Sequence, residues 1–290
     1  MKHKTIYILM LLSLLTYSCT ENKFVEAEPQ MVVEGWIDAG GYPIVMLSQI
    51  LPVTEQVVTD EDIEDCIITT GKVTISDGEK SIVLTGKKSD KYFPPYIYTT
   101  SKMRGEEGKT YYLTAEYKNF YATARTTIPP KAKIEKIITQ KENDGYSISA
   151  VINDNPEEKN YYKFFIQLVG RDQCYLSSNF AIIDDKNYTF PCAVPIDLGR
   201  SSFNGKEANN KHIMSEKDRL MIKVAQVDNA MYNFWDDYKN ITELGINPFF
   251  RYSNSIRSNI SGGLGYWAGY GATEYLLEPY NHEIPIELKK

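Results

Sequence analysis

Few residues in this chain have the type and spacing that chemistry needs. Gly262-Gly263-Leu264-Gly265-Tyr266-Trp267-Ala268-Gly269-Tyr270-Gly271 has the glycine density of a nucleotide loop. Such loops cradle phosphate because glycine lets backbone N–H groups approach the ligand. Here the G-x-G-x-x-G spacing fails at Ala268, and no strand-helix-strand pattern surrounds it. The glycines are expected to be structural, letting strands bend and backbones approach closely while Tyr and Trp pack over the gaps. Thr59-Asp60-Glu61-Asp62-Ile63-Glu64-Asp65 repeats carboxylates at every second position. It lacks the turn glycine and distal Glu of a calcium loop and is expected to be a solvated acidic loop. Asp184-Asp185 and Asp236-Asp237 are adjacent pairs; neighbouring side chains point apart and fix no separation across a substrate, so surface charge is expected. His212 has no nominated Ser or Asp partner and no G-x-S-x-G accompanies it, which leaves His212 and Asp184 as the only nominees for hydrolysis. With no C-x-x-C and few histidines, neither a metal nor a cofactor is expected.

The cysteines carry an address. Lys2 and Lys4 precede an apolar run from Thr5 to about Tyr17, the pattern of a secretory signal over 1–18 and shorter than the roughly 20 residues a bilayer span needs. The run ends Leu14-Leu15-Thr16-Tyr17-Ser18-Cys19, a small residue directly before a Cys, which looks like a bacterial lipobox with Cys19 as the lipidated first residue. Cleavage near Ser18 with Cys19 a bystander is the other reading. Acyl chains contribute about 0.8 kcal/mol per buried methylene, so several together anchor a protein stably. Residues 19–30 read as a polar, acidic tether. Of Cys66, Cys174 and Cys192, the expected bridge is Cys174 to Cys192, a short loop stabilised by roughly 3 kcal/mol in an oxidising compartment, with Cys66 left over.

The elements that must position these residues are mostly strands. Composition is ordinary for a globular protein, 42% hydrophobic and 24% charged, with a net charge of −6 and no basic stripe, so nucleic acid is a poor partner. From Met31 to Ile128 short alternating runs separated by turn signals, among them Ser76-Asp77-Gly78-Glu79, argue for an immunoglobulin/transthyretin-like β-sandwich domain over 31–128. In Lys109–Tyr117 the set Tyr111, Leu113, Ala115 and Tyr117 is expected to face its core. Pro129-Pro130 opens a stiff linker over 129–133. A second β-rich domain follows over 134–288, with strands at 134–139, 146–153, 161–169 and 219–227. It carries one amphipathic helix, capped by Asp228, with Met231, Phe234, Trp235 and Tyr238 on its apolar stripe and Asn229, Asn233, Asp236 and Asp237 opposite. Residues 170–217 show weak periodicity and read as a long irregular segment.

Aromatic residues make up 12% of the chain, with 22 Tyr. Most alternate with aliphatics and belong in cores, where the hydroxyl finds a partner. Tyr92-Phe93-Pro94-Pro95-Tyr96-Ile97-Tyr98 mixes aromatics and prolines in a loop. Tyr92, Phe93, Tyr96 and Tyr98 are either loop packing or an exposed platform for a glycan, a peptide or a protein partner.

The leader, Val33-Glu34-Gly35-Trp36-Ile37, Pro94-Pro95-Tyr96, Gly108-Lys109-Thr110-Tyr111, Thr127-Ile128-Pro129, Phe203-Asn204-Gly205-Lys206, Asn247-Pro248-Phe249 and Ser258-Asn259-Ile260-Ser261-Gly262-Gly263-Leu264-Gly265 together resemble an uncharacterised Bacteroidetes lipoprotein family known as a domain of unknown function. The resemblance covers nearly the whole mature chain. It implies a lipoprotein of the outer membrane, on the cell surface or the periplasmic face, often encoded beside a TonB-dependent receptor. It carries no catalytic or binding residues.

The expectation is a non-enzymatic accessory or ligand-capture subunit of a TonB-dependent transport system, held to membrane lipid through Cys19 acylation and partnered by the outer-membrane barrel. A surface adhesion or structural protein is the alternative, and a hydrolase with a site at the domain junction the third reading.

Overall fold

Alternation of apolar and polar side chains along Met31–Asp38 puts Met31, Val33 and Ile37 on one buried face, and the same period recurs along Lys72–Ser76, Thr110–Tyr117 and Cys192–Pro195. The computed structural model describes residues 29–50, 64–143, 145–154, 158–196, 214–215, 217–244, 256–278 and 286–288, of which 179–181, 242–244 and 286–287 are described by backbone alone. The leader, Cys19, nearly all of the tether, the acidic run from Thr59 to Ile63, His212, Phe203–Lys206 and Asn247–Phe249 lie outside the described residues.

The protein is mainly β. Its strands are β1 (Met31–Asp38), β2 (Ile44–Gln49), β3 (Lys72–Ser76), β4 (Ser81–Val83), β5 (Thr85–Lys88), β6 (Tyr96–Thr99), β7 (Thr110–Tyr117) and β8 (Phe120–Thr127) before the prolines. After them come β9 (Ile134–Glu142), β10 (Gly145–Ile152), β11 (Tyr161–Leu168), β12 (Leu176–Asp184), β13 (Cys192–Pro195), β14 (Leu220–Val227), helix α1 (Asn229–Leu244), β15 (Leu264–Leu277) and β16 (Ile286–Leu288). Among the described residues these form three sheets. The largest runs β12-β11-β14-β15-β1-β2-β6-β5, with β16 also on β15; the others are β13-β10-β9 and β4-β3-β7-β8.

The expected strands before and after the prolines are present, and Tyr111, Leu113 and Ala115 are buried as the alternation of β7 requires, with Tyr117 packed beside them. Two segments differ. Tyr96–Thr99, expected in a loop, is strand β6, because its edges pair with β2 and β5. Within 170–217, expected to be irregular, Leu176–Asp184 and Cys192–Pro195 are strands whose partners β11 and β10 supply the order that local periodicity lacks.

Strand β15 joins the two halves. Its first half pairs in parallel with β1, from Val32↔Leu264 to Asp38↔Tyr270; its second half pairs antiparallel with β14, from Gln226↔Gly271 to Leu220↔Leu277. The large sheet therefore crosses the expected 31–128 and 134–288 boundary. One hydrophobic cluster gathers Val33, Leu47, Ile75, Leu113 and, from β15, Trp267. A second gathers Ile148, Val194, Phe164, Val224 and Tyr275, on the face of the large sheet that β9, β10 and β13 cover. On the opposite face α1 lays Met231, Phe234 and Trp235 over Phe165, Ala225 and Tyr270. Asp228 caps this helix, accepting from Met231 N at 2.8 Å. Asn, Tyr and Asp are modest helix formers, so the burial of those three side chains, about 1.5–3 kcal/mol each, is what holds α1 in place.

The glycine-aromatic run behaves as expected of a structural motif. Gly265 has φ +104, and a Cβ there would lie 2.0 Å from the Val33 carbonyl oxygen. At Gly271 a Cβ would lie 2.1 Å from Pro130 O and 2.5 Å from Pro129 O. The Pro-Pro segment is thus no spacer held clear of the sheet; it crosses β15 in contact, and Ala132 N donates to Gly271 O at 3.0 Å. Between the glycines, Trp267 is fully buried and donates through Nε1 to Tyr111 O at 3.0 Å.

Gly271→Ala forces a methyl into a backbone that cannot yield as a flexible side chain would. The expected cost is about 3 kcal/mol, at the upper end for overpacking, read as a loss of unfolding free energy in urea; an unchanged midpoint would contradict the close approach.

Candidate functional site

Where the Pro130–Lys133 segment crosses the sheet it walls a cavity of about 400 Å³. Its floor is Tyr162 of β11 and Gln226 of β14, neighbours in register on the face opposite α1. Its far wall is formed by Asn153 and Asp154, which follow β10, and by Glu158 and Asn160, which precede β11. The β11 and β14 strands are apolar at most positions, so a polar Gln226 among Val224, Ala225 and Val227 must find partners. It does: Gln226 Nε2 donates to Asn160 Oδ1, and Asn160 Nδ2 donates to Asp154 Oδ1 at 3.0 Å. Asn160 is fixed from behind, since its backbone N–H donates to Asp185 Oδ2 while Asp185 N donates to Asn160 O at 3.2 Å. Burial, with the Asp154 carboxylate beside it, holds the Tyr162 hydroxyl well above its ordinary range, so it stays a neutral donor. On the near wall Lys131 is held by Glu107, whose carboxylate accepts from Lys131 N at 3.0 Å and lies 3.9 Å from its Nζ. Gln226, Asn160 and Asp154 are thereby held in fixed orientations at the cavity, with Asn153 and Glu158 exposed beside them, and the site can bind through directed hydrogen bonds.

Beneath α1 lies a second group of polar residues, which reads as structural. Lys223 is 4% exposed, its Nζ 2.6 Å from Asp38 Oδ1 and 4.7 Å above the Tyr270 ring. The pair spans β15, tying β14 to β1. Lys163 is 2% exposed; it donates to Ser178 O at 2.7 Å and its Nζ lies 5.1 Å from the Trp235 ring centre. Burial, with the Lys239 ammonium adding repulsion, pulls the Lys163 amine from an ordinary 10.5 down to about 7.

The aromatic segment divides. Tyr98 is 2% exposed and cannot belong to a surface platform: its hydroxyl donates to Ile68 O at 2.8 Å and accepts from Gly71 N at 2.9 Å. Tyr96 packs against Tyr98 with ring centres 5.5 Å apart, and Tyr92 against Trp36 at 5.7 Å. Phe93 alone of the four stands out, 66% exposed. Tyr96 and Tyr98, two residues apart, share one face of β6, where Tyr98 pairs in register with Val45, whereas Tyr92 and Phe93 precede the strand.

The expected Cys174–Cys192 bridge is not formed; both are free thiols. The nine residues of β12 lie between them, about 30 Å of extended chain, and Cys192 is buried opposite Ile152 in the β10–β13 ladder. Asp184 and Asp185 are not a surface pair. Asp184 accepts from Lys186 N at 3.1 Å and lies 3.4 Å from Lys159 Nζ, whereas Asp185 is buried behind Asn160. Asp237, expected on the polar face of the helix, is also buried and binds Arg257 through both oxygens, at 2.7 and 2.8 Å, which holds its carboxyl below the usual range. Asp236 is half-buried.

Sequence reasoning missed the cavity. Asn153, Asp154, Glu158 and Asn160 resemble any polar connection, and only the fold brings them to Gln226. A signal was present in the strands: Lys163 in Tyr-Tyr-Lys-Phe-Phe-Ile, and Lys223 and Gln226 in Leu-Met-Ile-Lys-Val-Ala-Gln-Val, are polar residues inside runs that must be buried.

Because Lys163 has a folded pKa below its unfolded one, its burial cost is fully present below pH 7 and is relieved as pH rises toward about 10.5. Stability is expected to increase from pH 6.5 to 9 through this residue. Lys163→Met should flatten the slope and raise stability at pH 6.5, as measured by urea denaturation across that range. An identical slope in both proteins would contradict it.

No curated protein matches the chain. The family comparison gives a match over residues 18–275, which takes in both hydrophobic halves and the glycine-aromatic strand. On that extent the chain belongs to the family described as Domain of unknown function (DUF4249).

Proposed function

We propose that the protein is a non-enzymatic lipoprotein of the outer membrane that captures a small ligand and passes it to a TonB-dependent barrel. The observation that supports the capture step is the cavity between Pro130–Lys133 and the residues Asn153, Asp154, Glu158 and Asn160, in which Gln226, Asn160 and Asp154 are held by a chain of hydrogen bonds. A preorganised polar cavity loses little side-chain freedom on binding, which favours reversible capture. The address rests on Lys2, Lys4, the apolar run and Ser18-Cys19, and the barrel partner on the resemblance drawn from the sequence. A tether from Cys19 to Gln30 would hold the body close to the membrane while leaving β1 free to begin the fold at Met31.

Adhesion is supported by a different observation. Phe93 at 66% and Tyr121 at 60% are the most exposed of the large aromatic rings among the described residues, and such rings anchor protein contacts. The two readings separate by variant: Phe93→Ala lowers attachment on the adhesion reading and leaves uptake unchanged, and it is silent for both on the capture reading.

Cys19→Ala is expected to abolish metabolic labelling by an alkyne fatty acid and to release the protein from membrane fractions. Crosslinking of the wild-type protein in intact cells should recover a β-barrel. Continued labelling of the variant would overturn the address, and recovery of the lipoprotein alone would overturn the barrel partnership.

A further inference from the structure

We infer that the face of β1 beside α1 carries a second binding site, for a small organic cation of the alkylammonium type, built from Glu34, Trp36 and Tyr92. It lies on the opposite side of the large sheet from the cavity at Pro130–Lys133 and does not rest on the capture reading. The first argument is an uncompensated charge. Glu34, Trp36 and Asp38 alternate onto one face of β1, but the two carboxylates differ in their surroundings. Asp38 meets Lys223, which reaches it from β14 across β15, at 2.6 Å. Glu34 is in register with Tyr266, and β14 pairs with β15 only from Gly271 onward, so β14 brings no lysine to that level. Among the described residues no hydrogen bond or ion pair reaches the Glu34 carboxylate, and burial, with no cation to oppose it, holds its carboxyl above the usual range. Taking a carboxylate out of water is costly unless it is paired, which makes this charge a ready partner for a cation.

The second argument is what surrounds that charge. Its register neighbours are Tyr266 on β15 and Met46 on β2. Trp36 follows two residues on, about 7 Å along the same face. The Trp36 ring packs edge-on against Tyr92, with centres 5.7 Å apart and planes at 61°. Glu34, Trp36 and Tyr92 are each half-buried, so a ligand can reach all three from solvent. Aromatic rings carry negative faces that attract a cation, and they do so more strongly where water is excluded. An anion would be repelled by Glu34, and a neutral polyol would leave its charge uncompensated. A hard metal ion takes several oxygen ligands, and no group of three or more His, Cys, Asp or Glu that could hold one occurs among the described residues. An alkylammonium suits both features, its charge set against the carboxylate and its methyl or methylene groups against the rings.

The test is isothermal titration of the purified full chain in detergent with choline, tetramethylammonium and n-butylammonium chlorides. Sodium butyrate and the neutral isostere of choline, in which a tert-butyl group replaces the trimethylammonium, are titrated in parallel. At least one ammonium ion is expected to bind with one-to-one stoichiometry, and the butyrate and the isostere about tenfold more weakly or not at all. Glu34→Gln keeps the size of the side chain and removes its charge. It should weaken ammonium binding about tenfold without lowering the thermal midpoint, since an amide is easier to desolvate than a carboxylate. Trp36→Leu, which keeps an apolar group and removes the ring, should also weaken it. Equal binding of choline and its neutral isostere would overturn the ligand class, and ammonium binding indifferent to both variants would overturn the site. A lowered midpoint in Glu34→Gln would show the charge already in use within the fold and overturn the premise, and silence from every probe would overturn the proposal.

Discussion

A single close approach organises this molecule. The backbone of Pro129 and Pro130 passes over β15 where Gly271 has no side chain, and a Cβ there would lie 2.1 Å from the Pro130 oxygen. Because the prolines cannot donate to a ladder, the segment lies on the sheet instead of joining it, and Ala132 N then recovers one bond to Gly271 O. That crossing places Pro130–Lys133 against Tyr162 and Gln226, which makes one wall of the cavity. The same strand carries Trp267 into the first cluster and Tyr275 into the second.

The buried charges follow from the same strand order. With β15 between β1 and β14, Asp38 and Lys223 meet across it at 2.6 Å although they are 185 residues apart. A buried ion pair of this kind adds less than its Coulomb energy suggests, since desolvation opposes it, but losing one partner leaves a costly charge. Its effect is to penalise any slip of β1 or β14 relative to β15, which would separate the pair. The cavity inherits that fixed register, because Gln226 pairs with Gly271 on one side and Tyr162 on the other.

Much of this was legible in the sequence. Two-residue alternation located β1, β3, β7 and β8, and Asp228 with Met231, Phe234 and Trp235 located the helix, because each signal is local. Pairing was not legible. Leu264–Leu277 is buried on both faces over most of its length, so it shows no alternation, and nothing local in Met31–Asp38 points to a partner more than 200 residues away. The aromatic segment failed for a related reason: Phe93 and Tyr98 are alike in composition, but Tyr98 is taken into β6 by pairing with β2 and β5 while Phe93 stays ahead of the strand, exposed. Cys174 and Cys192 are near in sequence, but an extended strand separates them, and sequence distance alone does not show that.

The central claim is that β15 fuses both halves into one cooperative body on which the cavity depends. Equilibrium unfolding in urea, followed separately by Trp267 fluorescence in a Trp36→Phe/Trp235→Phe protein and by Trp235 fluorescence in a Trp36→Phe/Trp267→Phe protein, tests it most directly when each is compared with far-UV circular dichroism of the same protein. The account predicts that within each protein the fluorescence and dichroism transitions coincide. Two separated transitions, one for the half containing Trp267 and another for the half containing Trp235, would contradict it.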